Sequence, residues 1–312
     1  MRAIVTGGAG FIGSHVVDAL VARGDDVVVL DNLSSGRREQ VSAGARLVVA
    51  DLRDSGEVDA AFDDLRPECC FHLAAQADVR VSVEQPAFDS EVNVIGTIRV
   101  LEAARRHDAQ VVFASTGGAI YGECDGPASE NAPRRPLAPY GASKLAAEEY
   151  VATHDRLYGG GHISLRYGNV YGPRQDPHGE AGVVAIFLGR LARGERPQVF
   201  GDGTQTRDYV FVGDVVAALL AAVGHGGGVF NVGTGVETSV LDLLEACLRV
   251  SGAEAEPEFK PPRVGELARS ALDPTLAENE LGFRAQTGLG EGLAATWEFV
   301  RRAEGEGSSG AN

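Results

Sequence analysis

The sequence predicts an α/β fold in which a doubly wound parallel sheet is joined to a smaller C-terminal α/β domain. Three observations predict it. Short β-branched runs alternate with amphipathic stretches through the first half of the chain, a glycine-rich turn joins the first run to the first helix, and the rhythm is lost after about residue 167. Such alternation implies βαβ units whose crossovers cover both faces of a parallel sheet.

The elements follow in order. AIVTG opens the sheet, and a helix is expected from Phe11 to Arg23. DVVVLD, ARLVVAD, CCFHLAA and QVVFAST supply the next strands, with helical intervals between them. A helix starts near Tyr140, and ISLRYGNVYGP reads as one more strand running into a loop. Beyond it Pro and Gly break up the runs, as in GPRQDPHGEAG and FKPPRVGE, so the segments shorten into a cap. YVFVGDVVAALLAAV followed by VFNVGTG restores the pattern and is expected to rejoin the sheet. The predicted division is a Rossmann-type dinucleotide-binding domain over 1–166 with about 210–233, and a substrate domain over 167–209 and 234–302. A disordered tail is expected over 303–312, because AEGEGSSGAN has no apolar residue larger than alanine.

Composition excludes several classes. A chain of 312 residues, 44% hydrophobic and 23% charged, can bury a sizeable core. Its net charge of −16 repels nucleic acid and anionic membranes, so a phosphate-bearing ligand must be held by local arginines and backbone amides. No apolar run reaches membrane-spanning length, and the first strand begins too early to leave room for a leader peptide. Cys69, Cys70, Cys124 and Cys247 have neither metal-ligand nor disulfide spacing. A reduced, cytoplasmic protein without a metal is expected.

Between AIVT and the first helix stands GGAGFIG, containing Gly8-x-Gly10-x-x-Gly13 and, in the same letters, Gly7-x-x-Gly10-x-x-Gly13. Glycines there permit a tight turn, let backbone approach a pyrophosphate and allow close helix packing, while the helix N-terminus offers amides to the phosphates. Asp31 ends the next strand 18 residues after Gly13. Its carboxylate can accept both hydroxyls of an adenosine ribose and repels a 2′-phosphate, which favours NAD; Arg37 and Arg38 beside it keep NADP open. Asp51 ends the following strand and either meets the adenine amine or caps the helix of LRDSGEVDAAF. His72, between Phe71 and Leu73 in a strand, reads as a core histidine.

In APYGASKLAAEE, Tyr140 and Lys144 stand four residues apart and share a helical face. A free phenol titrates at about 10 and is a poor base near neutrality. An adjacent ammonium and an oxidised nicotinamide, both cationic, stabilise phenolate, so the phenol can take a hydroxyl proton. QVVFAST ends at Ser115 and Thr116, whose hydroxyls reach the carboxyl edge where open α/β sheets bind ligands.

With these residues in view, the chain resembles the extended short-chain dehydrogenases/reductases, and within them the nucleotide-sugar 4-epimerases. TGGAGFIGSH, DNLSSG, FHLAAQ, VNVIGT, ASTGGAIYGE, PYGASK, RYGNVYGP, VFGDGTQTRDYVFVGDV, FNVGTG and RVGE carry the resemblance, from residue 6 to 266. It implies NAD-dependent 4-epimerisation of a UDP-hexose through a 4-keto sugar, with Tyr140, Lys144 and a hydroxyl residue as the catalytic trio. Counting from Phe113 makes that residue Thr116, with Ser115 in reserve; counting back from Tyr121 lands on Gly117, because the turn is one residue longer than the pattern. It assigns to the cofactor Gly7, Gly10, Phe11, Ile12 and Gly13; Asn32, Ser35 and Gly36 near the adenosine ribose; Asp51 with Leu52; Leu73, Ala74 and Ala75 along the pyrophosphate; and Asn93 and Tyr167 around the nicotinamide. For the sugar nucleotide it implies Asn169, Gly182 and Val183, Val199 and Phe200 about the uracil, Arg207, Tyr209 and Arg263 on the diphosphate side, and Glu266 at a ribose hydroxyl.

Three departures bear on the substrate. Gly182 and Val183 replace the Asn-Leu pair of many such epimerases, Ser270 is small where others vary up to Tyr, and Asp176 stands where glucuronate epimerases carry a basic residue. The second leaves room for an N-acetylhexosamine, and the third disfavours a uronate. Gly117 and Gly118 follow Thr116 where 4,6-dehydratases place Asp-Glu, which disfavours that lyase; retention of Tyr140 and Lys144 disfavours a non-catalytic NAD-binding regulator. Two segments, about 88–106 and 140–157, carry apolar positions beyond one face, among them Val94, Ile98, Leu101, Leu145 and Tyr150, and by resemblance form a homodimeric four-helix bundle.

Overall fold

The computed structural model describes residues 1–177, 182–263 and 267–309. Seven parallel strands form the main sheet: β1 (Arg2–Thr6), β2 (Asp26–Asp31), β3 (Arg46–Val49), β4 (Cys69–His72), β5 (Gln110–Thr116), β6 (Ile163–Tyr167) and, late in the chain, the strand Gly228–Val232. Their order places the late strand beside β6, followed by β5, β4, β1, β2 and β3. The order reverses between β1 and β4, so the loops at their carboxyl ends diverge and open a crevice there. The doubly wound sheet predicted from the sequence is what forms.

Nearly every residue of β1, β2, β4 and β5 is buried, and the polar ones lie at the strand ends around an apolar middle, since helices cover both faces. One face packs against α1 (Phe11–Ala22), the other against α2 (Ser55–Leu65). Three segments continue the second layer: α3 (Val79–Glu84), α4 (Pro86–Ser90) and α5 (Gly96–Arg105). A single turn of π-helix, Glu91–Ile95, separates α4 from α5, so the continuous helix expected over 88–106 carries one extra residue in its bend. That turn rotates Asn93 into the interior, and π turns of this kind recur at functional sites. After β5 come α6 (Gly117–Ile120) and the long α7 (Pro139–Tyr158), which starts with Pro at its first turn.

The cap begins with β7 (Asn169–Tyr171) and α8 (Val183–Ala192). Three short strands follow: β8 (Gln198–Phe200), β9 (Thr206–Arg207) and β10 (Tyr209–Phe211). The chain re-enters the main layers through α9 (Val212–Ala221), packed on α1, and the seventh strand, now β11. It then returns to the cap with β12 (Thr238–Ser239), α10 (Val240–Ser251), β13 (Glu258–Lys260) and β14 (Arg269–Ser270). Helix α11 (Thr275–Leu281) packs on β11, and α12 (Leu289–Ser309) joins α8 and α10 around a separate apolar core. Helix α12 continues past residue 303, where a disordered tail was expected. Extending a helix needs no new nucleus, and Glu304 is held by Arg193 at 3.2 Å. No helix among the described residues is long and apolar enough to cross a membrane.

A buried ion pair fixes α7 to the sheet. Arg166 on β6 donates from Nε to both oxygens of Glu148 at 3.1 Å, with a further bond from its terminal nitrogen, and both side chains are 2% exposed. Ser115 on β5 donates to Glu148 at 2.9 Å, and Arg166 also donates to Tyr121 Oη at 2.7 Å. Removing one partner strands the other charge in the interior. Glu148→Gln is therefore expected to cost about 3–5 kcal/mol, read as a lowered melting temperature.

Candidate active site

The glycine turn is as tight as its composition requires. Gly7 has φ +70° and lies against the end of β4, where a Cβ would sit 2.7 Å from Ala74 N. A Cβ on Gly13 would lie 2.1 Å from Gly7 O. Gly10 precedes α1 without a side-chain cap, and Phe11 and Ile12 open the helix, so its first amides face the crevice between β1 and β4. The residues fit a dinucleotide: a phosphate group can approach backbone that any side chain would cover.

Asp31 ends β2 buried, accepting from Ala9 N at 3.0 Å and Leu33 N at 2.8 Å. Gly36 packs close by, where a Cβ would come 2.9 Å from Ala9 Cβ, while Asn32 and Ser35 are exposed on the same loop. Asn32 donates to Asp51 at 3.0 Å. Asp51 is not the cap of α2, because Asp54 accepts from Gly56 N and Glu57 N. Arg53 beside it holds the Asp51 carboxyl well below the usual carboxylate range. Leu52 turns its side chain into the core, so only its backbone borders the crevice.

A hydrogen-bond chain carries the position of the turn to Asn93. Ala74 N donates to Thr6 Oγ1, which lies 2.7 Å from His72 Nδ1, and His72 Nε2 lies 3.0 Å from Thr97 Oγ1. Thr97 donates its hydroxyl hydrogen to Asn93 O, so its oxygen accepts from Nε2–H and Nδ1 accepts from Thr6. Burial, with Lys144 adding to it, pushes the His72 ring down to about 3, so it serves as the neutral core histidine expected. Asn93 then exchanges bonds with Gln76, which follows Ala75. Neither Thr6, Thr97 nor Gln76 was singled out in the sequence, since nothing in their spacing shows that they meet.

Lys144, expected from the sequence to pair with Tyr140, reaches the carboxyl end of β5. Lys144 is 3% exposed, donates to Ala114 O at 2.9 Å and lies 4.8 Å from the centre of the Phe113 ring. Burial lowers it to about 8, opposed by the charge of Asp89. Tyr140 is raised to about 12 by burial, with Asp89 adding to the rise. The lowering of the phenol expected from Lys144 and an oxidised nicotinamide together is absent in the protein alone, where burial and Asp89 both raise it; a cation beside the ring acts in the opposite direction.

Ser115 and Thr116 are separated by their environments. Ser115 is buried and bound to Glu148, whereas Thr116 is half-buried with no hydrogen bond from its hydroxyl among the described residues. Gly117 faces Leu272, where a Cβ would meet a methyl carbon at 2.4 Å. Tyr167 pairs with Thr116 across the strands, and its buried hydroxyl has no hydrogen-bond partner among the described residues. Burial alone raises that phenol well above its ordinary value.

The cap supplies the rest. Gly182 precedes α8 without a side-chain cap and Val183 begins the helix. Phe200 borders a cavity of about 300 Å³ with Gly201, Thr204, Pro262 and Leu267, and Arg263 lies over its ring at 4.2 Å. Val199 points the other way into the cap core, as alternation along β8 requires, and Tyr209 is in that core too. Arg207 Nη1 donates to Thr206 O. The adjacent Asp208 accepts from Thr234, Gly235 and Leu272, tying β9 to the loops beside it. Asn169 and Ser270 flank Gly118, their oxygens 3.8 and 3.9 Å from where its Cβ would be. Asp176 faces Arg37 at 3.5 Å. Glu266 lies outside the described residues. A larger cavity, about 690 Å³ and bordered by Glu130, Arg134, Leu145 and Val229, contains none of these residues.

A sequence profile described as the NAD dependent epimerase/dehydratase family matches residues 3–233. The chain belongs to that family. Among members of this NAD-dependent family, the UDP-glucose 4-epimerase of Mycolicibacterium smegmatis is 50% identical over 310 residues, covering 96% of this chain and 99% of that protein. The crystal structure of UDP-glucose 4-epimerase from Thermotoga maritima with UDP-glucose is 47% identical, with a TM-score of 0.95 over 97% of this chain and 100% of that one. The UDP-glucose 4-epimerase of Thermus thermophilus, solved in complex with NAD, is 48% identical with a TM-score of 0.93, again over 97% and 100%. The extended short-chain dehydrogenase/reductase resemblance and the NAD requirement are borne out.

Gly13→Ala places a methyl group inside the turn, so the purified variant is expected to retain almost no NAD, measured as nucleotide released on denaturation.

Proposed function

We propose that the protein is a UDP-glucose 4-epimerase, interconverting UDP-glucose and UDP-galactose through a 4-keto sugar. The observation that carries this reading is that the chain is 47–50% identical to such epimerases over nearly its whole length, and it is supported by Lys144, one helical turn after Tyr140 on α7, bonding Ala114 O two residues before the uncommitted hydroxyl of Thr116 on β5. Bound NAD supplies the acceptor, and then the donor, of the hydride at sugar carbon 4. Tyr140 takes the proton of the 4-hydroxyl and later returns it. Thr116 bridges that oxygen and the phenol, because Ser115 is bound to Glu148. Lys144, held through Ala114 O, orients a ribose hydroxyl and favours phenolate.

Arg207 and Arg263 clamp the diphosphate, the cavity beside Phe200 receives the uracil, and Glu266 accepts a ribose hydroxyl. With affinity concentrated on the nucleotide, the keto sugar is free to turn and present its other face. Asp176 disfavours a uronate, and Gly117 and Gly118 leave no Asp-Glu pair for dehydration. A second reading, a UDP-N-acetylhexosamine 4-epimerase, is favoured by the small side chain of Ser270 beside Gly118.

Separate incubations with UDP-glucose, UDP-N-acetylglucosamine and UDP-glucuronate, each analysed for its 4-epimer, distinguish these substrates. Turnover of UDP-glucose is expected, and none of the glucuronate. Tyr140→Phe should lower kcat by at least about 100-fold. Thr116→Val should lower kcat, whereas Ser115→Ala should act mainly on stability. A Tyr140→Phe enzyme near wild-type rate would sink the mechanism.

The protein is also proposed to be a cytoplasmic homodimer. Ile95, Tyr150, Leu157 and Tyr158 are exposed on or beside α5 and α7, although Leu101, expected among the contacts, is buried in the core. Sedimentation at micromolar concentration should give twice the chain mass; a monomer overturns the assignment.

A further inference from the structure

Asp89, on α4, is fully buried and has no cation bonded to it among the described residues. Its Oδ1 accepts from Gln76 Nε2 at 2.9 Å and from Asn93 Nδ2 at 3.0 Å, and its Oδ2 has no hydrogen-bond partner among the described residues. Such an oxygen costs stability, so a fold that keeps one is using it or sheltering it. Asn93 Nδ2 also reaches Ser143 Oγ at 3.3 Å, and Ser143 donates to Tyr140 O at 3.0 Å. The carboxylate therefore sits beside the first turns of α7, against the face that bears Tyr140 and Lys144, with α4 packed directly on α7.

We propose that Asp89 is a positioning residue for the reactive pair: fixed through one oxygen and open at the other, it holds Lys144 as an ammonium and keeps Tyr140 a phenol until a cation binds beside the ring. The inference rests on Tyr140 and Lys144 being that pair. The directions agree, since Asp89 raises both groups against or with the effect of burial. Other charges facing this region are engaged elsewhere. Glu148 on α7 is paired with Arg166, Asp78 before α3 with Arg80, and Arg99 on α5 donates to Leu52 O; Glu91 in the π turn is exposed. His72 on β4 is neutral, while β5 and α6 carry no charged residue.

Asp89→Asn preserves the shape and the acceptor for Gln76 and Asn93 while removing the charge. Loss of a nearby negative charge favours phenolate and disfavours ammonium, so both groups must titrate at lower pH. Tyrosinate absorbance is titrated in NAD-loaded protein, with and without Asp89→Asn, and each is compared with its Tyr140→Phe counterpart to isolate Tyr140. The Tyr140 transition is expected to fall by about one pH unit, a tenfold gain in acidity. The alkaline limb of kcat, set by loss of the Lys144 proton, should move the same way. An unchanged Tyr140 transition in folded, NAD-loaded Asp89→Asn overturns the proposal. Asp89→Ser, smaller and equally neutral, is the second variant; if neither folds, the carboxylate serves the fold and the proposal fails. The titration needs no UDP-sugar turnover, so its outcome stands apart from that of the epimerase assay.

Discussion

The attachment of α7 to the carboxyl ends of β5 and β6 is the constraint on which the site depends. Tyr140, Lys144 and Glu148 recur every four residues along that helix, so a single inward face carries all three. Glu148 is fixed by Arg166 and Ser115, and Lys144 by Ala114 O, which sets both the height and the rotation of the helix over the sheet. Tyr140 then has little freedom to miss the strand edge where Thr116 and Tyr167 stand side by side. The pair of charges is an expensive way to hold a helix, and an apolar contact could hold it as strongly. Its directional bonds add what an apolar contact lacks, a defined register.

Desolvation controls the chemistry of the face thus presented. The same burial that raises the phenol lowers the ammonium, so the isolated protein keeps Tyr140 protonated and leaves Lys144 only a small margin as an ammonium. Reactivity then depends on what binds. In the proposed mechanism a cationic ring against Tyr140 reverses the balance at the moment it is useful, and an empty site does not carry a stray phenolate. The low dielectric makes each added charge count for more than it would at the surface.

The cap works by a different division of labour. Its arginines and the Phe200 cavity gather on short strands and loops, and Asp208 binds those loops together through backbone amides and a threonine hydroxyl. These are contacts suited to a nucleotide. Near Gly118 the walls are small, which suits a sugar that must turn.

The parallel sheet, the glycine turn, Asp31 and the four-residue step from Tyr140 to Lys144 were legible in the sequence because each is a local pattern: short β-branched runs buried on both faces, a backbone without Cβ, a residue at a strand end, one turn of helix. Local patterning also gave the return of the chain to the sheet at β11. The choice between Ser115 and Thr116 was not local, because it turns on Glu148 arriving from α7, 33 residues away. Nor were the inward turn of Val199, the π turn that buries Asn93, the true cap of α2, or the open oxygen of Asp89, a residue of α4 whose other oxygen is held from the π turn and the loop after β4. The sequence by itself determined which elements form and which reactive residues they carry, since backbone propensity and periodicity act over a few residues. Only the tertiary structure decided which of those side chains are bound to neighbours and which remain free to react, since desolvation and hydrogen-bond pairing depend on groups that folding brings together from distant parts of the chain.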